Sequence, residues 1–321
     1  MPSLSGYGHV SDPAEALAYR LLEKHGSDPA QASRPEHGWA NEVWLGETAV
    51  ARIKRAVHGA FAREVSLAAM LPPDVGYPNV LDLGVADGME WMVTKRLPGE
   101  NLKVAWPTLD ASVRVKAATD LWARLEAVHR TDVAAARTLG CTSTPFYALD
   151  EGDARQLLDW LLQNEAIEPT LHDQLSDMLD RLFRAIPEVP TVLSHTDAGP
   201  HNTVWDGTNA IPIDFETASV APADLDLECI LRIMAEQGEP NPASALLEQA
   251  AGLLALPGAA SRLWGYAVLR DLWGLRGWLL HARSGGDLQE WGAEPHDLRT
   301  WEPWRYLHGH ASRTSWLADL L

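Results

Sequence analysis

Cysteine is nearly absent: the 321 residues contain two, Cys141 and Cys229. Neither stands in a CxxC or Cys/His spacing, which excludes a disulfide framework and the common structural zinc sites and points to a reducing, cytoplasmic setting. Long apolar runs are also missing. The stretch 250–260 is short and is broken by Gly252, Pro257 and Gly258, so no membrane span is expected. The N-terminus, MPSLSGYGHVSDPAEA, has neither a basic start nor an apolar centre, and no secretion signal is expected. Positive charge is scarce: 26 basic residues, 21 of them arginine, face 44 acidic ones, for a net charge of -18. Such a balance repels polyanions and argues against a nucleic-acid partner, while favouring a cationic ligand. There is no GxGxxG loop, no HExxH pair, no internal repeat and no low-complexity tract.

What is present divides into two textures, in keeping with about two domains of roughly 150 residues each. Asp12, Pro13 and the stripe Ala14, Leu17, Ala18 and Leu21 predict a helix over 12–24, with Asp12 as its N-cap. The β-branched and apolar residues of 41–54 surround Gly46 and predict a hairpin. A helix over 59–71 should end at Pro72 and Pro73, and a second hairpin spans 80–85 and 89–97. Beyond 102 the period is helical, as in Ala118, Leu121, Leu125 and Val128. Pro98-Gly99 therefore marks the expected boundary between a strand-rich N-terminal lobe, 1–97, and a mainly helical C-terminal lobe, 98–321. The fold class expected is α+β.

One later segment breaks the helical rule. Residues 193–216 read LSHTDAGPHNTVWDGTNAIPIDFE, and Asp206-Gly207 is a strong turn signal between two short strands. A turn centred on Thr208 pairs Thr203 with Ile213 and sets Asn202 opposite Asp214, with Cβ atoms roughly 4.5–5.5 Å apart. Two hard oxygen ligands at one hairpin end form a partial magnesium shell, to be completed by substrate phosphates. Asp197, a few residues upstream, is free to accept or orient the proton of an attacking hydroxyl. An isolated Asp and Asn five residues apart would be ordinary turn chemistry. Here His195, the hairpin and the following IDFE would all have to be coincidence.

These residues resemble the aminoglycoside phosphotransferase and choline kinase-like group of the protein-kinase-like fold. Its HxDxxxxN loop is matched by His195, Asp197 and Asn202, its second metal motif by Asp214, and its Pro-x-Asp-Leu segment by Pro222, Asp224 and Leu225. The commoner HGD form has glycine where this chain has Thr196. The resemblance covers about 30–240. It implies a two-lobed kinase fold, Asp197 as catalytic base, Asn202 and Asp214 as Mg2+ ligands, and His195 as support of the loop. The activity implied is transfer of the γ-phosphoryl group of ATP or GTP to a hydroxyl of a small molecule. An antibiotic of aminoglycoside, nucleoside or other glycosylated type is the leading acceptor, for resistance or self-protection. The alternatives are a metabolite kinase for a choline, homoserine or sugar-like acceptor, and a nucleotide-binding module without catalysis. A protein kinase is disfavoured by the missing glycine-rich loop and APE-like segment.

On the nucleotide side, helical spacing puts Glu64 inside the apolar stripe of Phe61, Val65 and Ala68, where a carboxylate needs a cation. Arg52 and Lys54 share strand parity and both qualify; the resemblance selects Arg52 as the phosphate contact. Lys95, Arg96 and Leu97 lie in the segment expected to offer backbone groups to the purine. The phosphate-covering loop should be 37–41. For the acceptor, acidic residues gather at Asp150, Glu151, Asp153 and Asp159 and again at Asp224, Asp226 and Glu228, and Asp224 and Glu228 are the substrate candidates. Seven of the fourteen tryptophans follow residue 260. Trp291, Trp301 and Trp304, in a polar stretch, are expected to line an acceptor pocket. His201, His308 and His310 lack a zinc-type ligand pattern.

Overall fold

The computed structural model of the chain describes residues 12–35, 42–236 and 240–320. They form two compact units, one running to Leu71 and resuming over Gly76–Gly99, the other holding Pro72–Val75 and the residues from Glu100 onward. The phosphate-covering loop expected at 37–41 lies outside the described residues.

In the first unit, α1 (Pro13–Lys24) begins as expected: the Asp12 side chain accepts from the Ala14 amide at 3.0 Å, and proline occupies a position whose amide would lack a partner anyway. Strands β1 (Glu42–Leu45) and β2 (Ala49–Lys54) form the first hairpin. Helix α2 (Ala60–Ala68) follows, and β3 (Val80–Ala86) with β4 (Met89–Lys95) forms the second hairpin. The antiparallel sheet has the order β1-β2-β4-β3. Ala49, Ala51 and Ile53 alternate on β2 and join Leu17 and Leu21 of α1 in one core. Helix α2 stops three residues before the expected Leu71, and a turn carries the chain into the two prolines.

The second unit starts with β5 (Glu100–Asn101), then α3 (Leu102–Ala105), α4 (Ala111–Val128), α5 (Val133–Thr138), α6 (Glu151–Gln163) and α7 (Pro169–Ala185). The irregular centre follows as β6 (Thr191–Ser194), β7 (Thr203–Trp205), β8 (Ala210–Pro212) and β9 (Ser219–Pro222). The chain closes with α8 (Leu225–Glu236), α9 (Pro240–Gln249), α10 (Ala251–Leu254), α11 (Ala259–Arg283) and α12 (Glu302–Ser312). Strands β5, β7 and β8 make one small antiparallel sheet, and β6 pairs with β9. The α4 stripe of Ala118, Leu121, Leu125 and Val128 is fully buried. The class is α+β, as expected. Among the described residues no helix is long and apolar enough to cross a membrane.

Helix α11 is the axis of this unit and packs along α7 and α12. Close approach to α7 depends on Gly265, where an added Cβ would lie 2.5 Å from Leu182 Cβ. Gly277, in the same helix, is exposed and has nothing within 4 Å of that position. Gly265→Ala should therefore lower stability by about 1–3 kcal/mol through overpacking. Gly277→Ala should raise it by about 0.5–1 kcal/mol through helix propensity. Urea unfolding midpoints check this pair; shifts of the same sign would contradict it.

Candidate active site

Strands β6 and β9 end side by side at Ser194 and Ser219, and the chain leaves β6 through a tight loop, 195–199. Asp226, fully buried in the first turn of α8, holds that loop. Its carboxylate accepts from the His195 amide at 3.0 Å, the Thr196 amide at 2.8 Å and His129 Nε2, at the end of α4, at 3.0 Å. Burial alone would raise the Asp226 pKa, but the His129 hydrogen bond and the neighbouring histidines outweigh it and hold the group below the ordinary carboxylate value. His195 is buried against Phe215, and its Nε2 lies 2.9 Å from the Ile213 carbonyl. A carbonyl only accepts, so Nε2 carries the proton. His195 thus ties the loop to the end of β8.

Thr196 adopts φ 66°, a region costly for a β-branched residue. Its amide bonds to Asp226 and its hydroxyl donates to the Thr217 carbonyl at 2.9 Å, which offsets that strain. This is how the chain accommodates threonine in place of the commoner glycine. Gly199 meets a different demand: an added Cβ would lie 2.2 Å from Ile233 Cδ1.

Asp197 follows, with its side chain about one-fifth exposed. Oδ1 accepts from Arg270 Nη2 of α11 at 3.1 Å, and Oδ2 accepts from Asn202 Nδ2 at 3.1 Å. His201 Nε2 lies 3.5 Å from Oδ2. Burial pushes the Asp197 pKa up; the His201 contact and the Arg270 charge push harder the other way, holding the carboxyl well below the usual range. It is an ionised group with a modest affinity for a proton.

The hairpin register differs from the expected one by one residue. Thr203 pairs with Pro212, and Asn202 stands opposite Ile213, whose amide donates to the Asn202 carbonyl at 2.9 Å. The Asp206 side chain sets the shift by capping the Thr208 and Asn209 amides at 2.8 and 2.7 Å, which closes the turn one position early. Asp214 therefore lies one residue beyond the pairing, in a left-handed conformation at φ 66° that opens a short 3-10 turn. The Asn202 amide nitrogen donates to both the carbonyl and the carboxylate of Asp197, so its amide oxygen faces away from Asp197. An amide oxygen and the Asp214 carboxylate fit a hard cation such as magnesium. Among the described residues no three His, Cys, Asp or Glu side chains group as a metal set. Phosphates and water would have to complete such a shell.

In the first unit, Arg52 Nη1 donates to the fully buried Glu64 at 2.7 Å, and the Tyr77 hydroxyl donates to the same oxygen at 2.8 Å. Arg52 and Lys54 both lie over the Phe61 ring, 5.1 and 5.6 Å from its centroid. The Lys95 and Arg96 amides donate to the Asn79 and Thr48 carbonyls, and Arg96 Nη1 donates to the Gly46 carbonyl at 2.6 Å. Those two amides are thereby engaged within the protein.

A cavity of about 370 Å³ opens beside Asp197 in the second unit. Its walls include Arg270, Trp273, Trp278, Arg232 and Glu302, and its size suits a small molecule.

The model of the phosphotransferase enzyme family matches residues 31–272. The chain belongs to that family. This phosphotransferase is a small-molecule kinase by membership, and solved structures agree on the fold. Aminoglycoside 2'-phosphotransferase-IIIa in its GDP complex is 16% identical, with a TM-score of 0.69 over 94% of this chain and 98% of that one. A thermostable mutant of aminoglycoside phosphotransferase APH(4)-Ia with AMP-PNP and hygromycin B is also 16% identical, with a TM-score of 0.62 over 93% and 97%. Macrolide 2'-phosphotransferase MphH from Brachybacterium faecium is 24% identical, with a TM-score of 0.59 over 87% and 96%. No curated protein matches the chain.

The acceptor candidates of this phosphotransferase need correction. Asp224 and Glu228 are fully buried. Asp224 accepts from Arg262 Nε at 2.6 Å and Tyr266 at 3.0 Å, and Glu228 accepts from Arg232 Nε at 3.0 Å and Tyr147 at 2.8 Å. Trp301 is also fully buried, donating to the Glu294 carbonyl at 2.8 Å. Trp291 packs on Trp278, and Trp304 on His308. None of these three tryptophans lines the cavity; Trp273 and Trp278 of α11 do. Asp150, in the first acidic cluster, caps α6. His310 is a buried partner of Asp271. Two residues of the site, His129 and Arg270, were not among the expected site residues, and Asp226 was expected only as part of an acidic cluster. The signal for Arg270 was there, because Arg262, Tyr266 and Arg270 recur every four residues along a helix that is otherwise apolar on that side.

Because its folded-state pKa is depressed, Asp226 contributes stability that is fully present above its unfolded value and is lost as pH falls through the folded one. Asp226→Ala should cost about 3–5 kcal/mol near pH 7, since it leaves His129 and two loop amides without their acceptor. The deficit should shrink toward about pH 3. Urea unfolding at the two pH values checks this; a deficit independent of pH would contradict it.

Proposed function

We propose that this phosphotransferase moves the γ-phosphoryl group of ATP or GTP to a hydroxyl of a small molecule seated in the cavity beside Asp197. The observation that carries the reading is the ionised Asp197 carboxylate at the cavity wall, bonded to the Asn202 amide on one oxygen and to Arg270 on the other. An antibiotic is the favoured acceptor class, supported by the aminoglycoside and macrolide kinases that share the fold. A cytoplasmic role in resistance or self-protection would follow.

In this reading Asp197 orients the acceptor hydroxyl and takes its proton late. A carboxylate held this far below its usual pKa is a poor base for early proton removal, which suits a loose transition state whose nucleophile needs positioning more than deprotonation. The Asn202 amide oxygen and Asp214 would hold a magnesium ion, which when bound neutralises charge on the transferring phosphates. Arg52, fixed by Glu64 and Tyr77, would contact the donor phosphates. His195 and Asp226 keep the loop in place so that little reorganisation accompanies transfer.

Asp197→Ala should cut formation of phosphorylated acceptor by about 10²–10⁴-fold, the usual worth of a positioned acid-base group. Binding of a fluorescent nucleotide analogue should change little in the same variant. Transfer at the wild-type rate would remove Asp197 from the mechanism. Asp214→Ala should instead weaken nucleotide binding only when magnesium is present.

A further inference from the structure

We infer that the acceptor carries an anionic group, a carboxylate or its equivalent, close to the hydroxyl that is phosphorylated, and that Arg270 receives it. This rests on the phosphoryl-transfer reading of Asp197 and adds the charge of the substrate to it.

Arg270 stands at the cavity wall with one nitrogen, Nη2, on Asp197. Its other terminal nitrogen, Nη1, is buried and has no hydrogen-bond partner among the described residues. A buried donor left unpaired costs about 1–3 kcal/mol, so a ligand that supplies its acceptor is favoured. Aromatic faces hold the guanidinium in position: Phe146, Trp273 and Tyr147 have ring centroids 4.1, 5.1 and 5.8 Å from its central carbon. Cation–π contact compensates the charge without using any N–H, so with Nη2 on Asp197 the Nη1 hydrogens remain for an oxyanion. A guanidinium set in this way matches a carboxylate in geometry and charge.

The acids of the wall point to the same conclusion. Asp271 accepts from Arg232 at 2.8 Å and from His310 at 2.8 Å, and Glu302 accepts from Tyr306 at 3.0 Å. Asp197 itself is paired with Arg270. A polycation needs carboxylates with open lone pairs, and here Asp197 and Asp271 are each held by an arginine, Glu302 meets a neutral hydroxyl, and Arg270 keeps a donor unused. The net charge of -18 belongs to the chain as a whole. The field felt by an acceptor comes from these near neighbours, because distant exposed charges are screened.

The test uses the whole protein with magnesium and ATP or GTP. Its probes are a panel of hydroxy acids, each beside its primary amide and the amino alcohol of the same skeleton, with kanamycin as a polycation. Binding is read by calorimetry and transfer by mass. Wild type should bind the favoured acid about tenfold or more tighter than its amide, the worth of one charge-assisted hydrogen bond. Arg270→Met should erase that preference, and Arg270→Lys, which keeps the charge without the fork, should retain part of it. Amides, amino alcohols or kanamycin favoured by wild type would overturn the inference. So would an acid preference untouched by Arg270→Met, or no acid bound at millimolar concentration. Transfer to neutral or cationic acceptors unaffected by Arg270→Met would overturn the anionic acceptor and leave the kinase reading standing. Arg270-dependent binding of acids with no phosphorylated product would do the reverse.

Discussion

The buried carboxylate of Asp226 is the fixed point of this molecule's chemistry. It lies in the first turn of α8 and ties that helix to two pieces of chain distant in sequence: the end of α4 through His129, and the start of the loop after β6 through two successive amides. Burying a charge is unfavourable unless hydrogen bonds replace its water, and here three donors do so. The result is orientation more than net stability. With the His195 and Thr196 amides pinned and His195 Nε2 bonded to the β8 end, the position of Asp197 is set before any ligand arrives. Thr196 can then be held at φ 66°, because its surroundings over-determine it.

The same first turns of α8 show how one run of acids serves three separate attachments. Asp224 binds Arg262 and Tyr266 of α11, Asp226 holds the loop, and Glu228 binds Arg232 and Tyr147. Arg232 continues to Asp271, and Asp271 to His310. These three carboxylates are thus spent inside the protein. That leaves a cavity wall whose local charge has little to do with the acidic surface, and gives Arg270 its weight.

Much of this was legible in the sequence because it is local. The Asp12 cap, the α4 stripe, the two hairpins of the first unit and the α+β class follow from period, proline and turn chemistry, which act over a few residues. The centre was legible as a motif: a histidine, two aspartates and an asparagine with the right spacing, and Glu64 on an apolar helix face with a partner demanded by burial. The register failed by one residue because the Asp206 side chain, by capping Thr208 and Asn209, decided where the turn closed. The acceptor residues failed for a different reason. Asp224, Glu228 and Trp301 read as polar or aromatic surface, yet each is buried against residues at least seven positions away, or in the helix turn that follows it. Composition cannot distinguish a carboxylate awaiting a cationic ligand from one already holding an arginine. Arg270 shares a four-residue spacing with Arg262 and Tyr266, but that signal is easily passed over because an arginine in a long helix usually faces solvent.

Asp197, Asn202 and Asp214 are proposed to form a phosphoryl-transfer centre serving a small-molecule hydroxyl. Phosphorus NMR of the wild-type protein with magnesium, ATP or GTP and a broad panel of hydroxyl-bearing antibiotics and metabolites tests it most directly. A new phosphomonoester resonance growing in step with nucleoside diphosphate is expected for at least one acceptor. Nucleotide consumed only to inorganic phosphate, or not consumed with any acceptor, would contradict it.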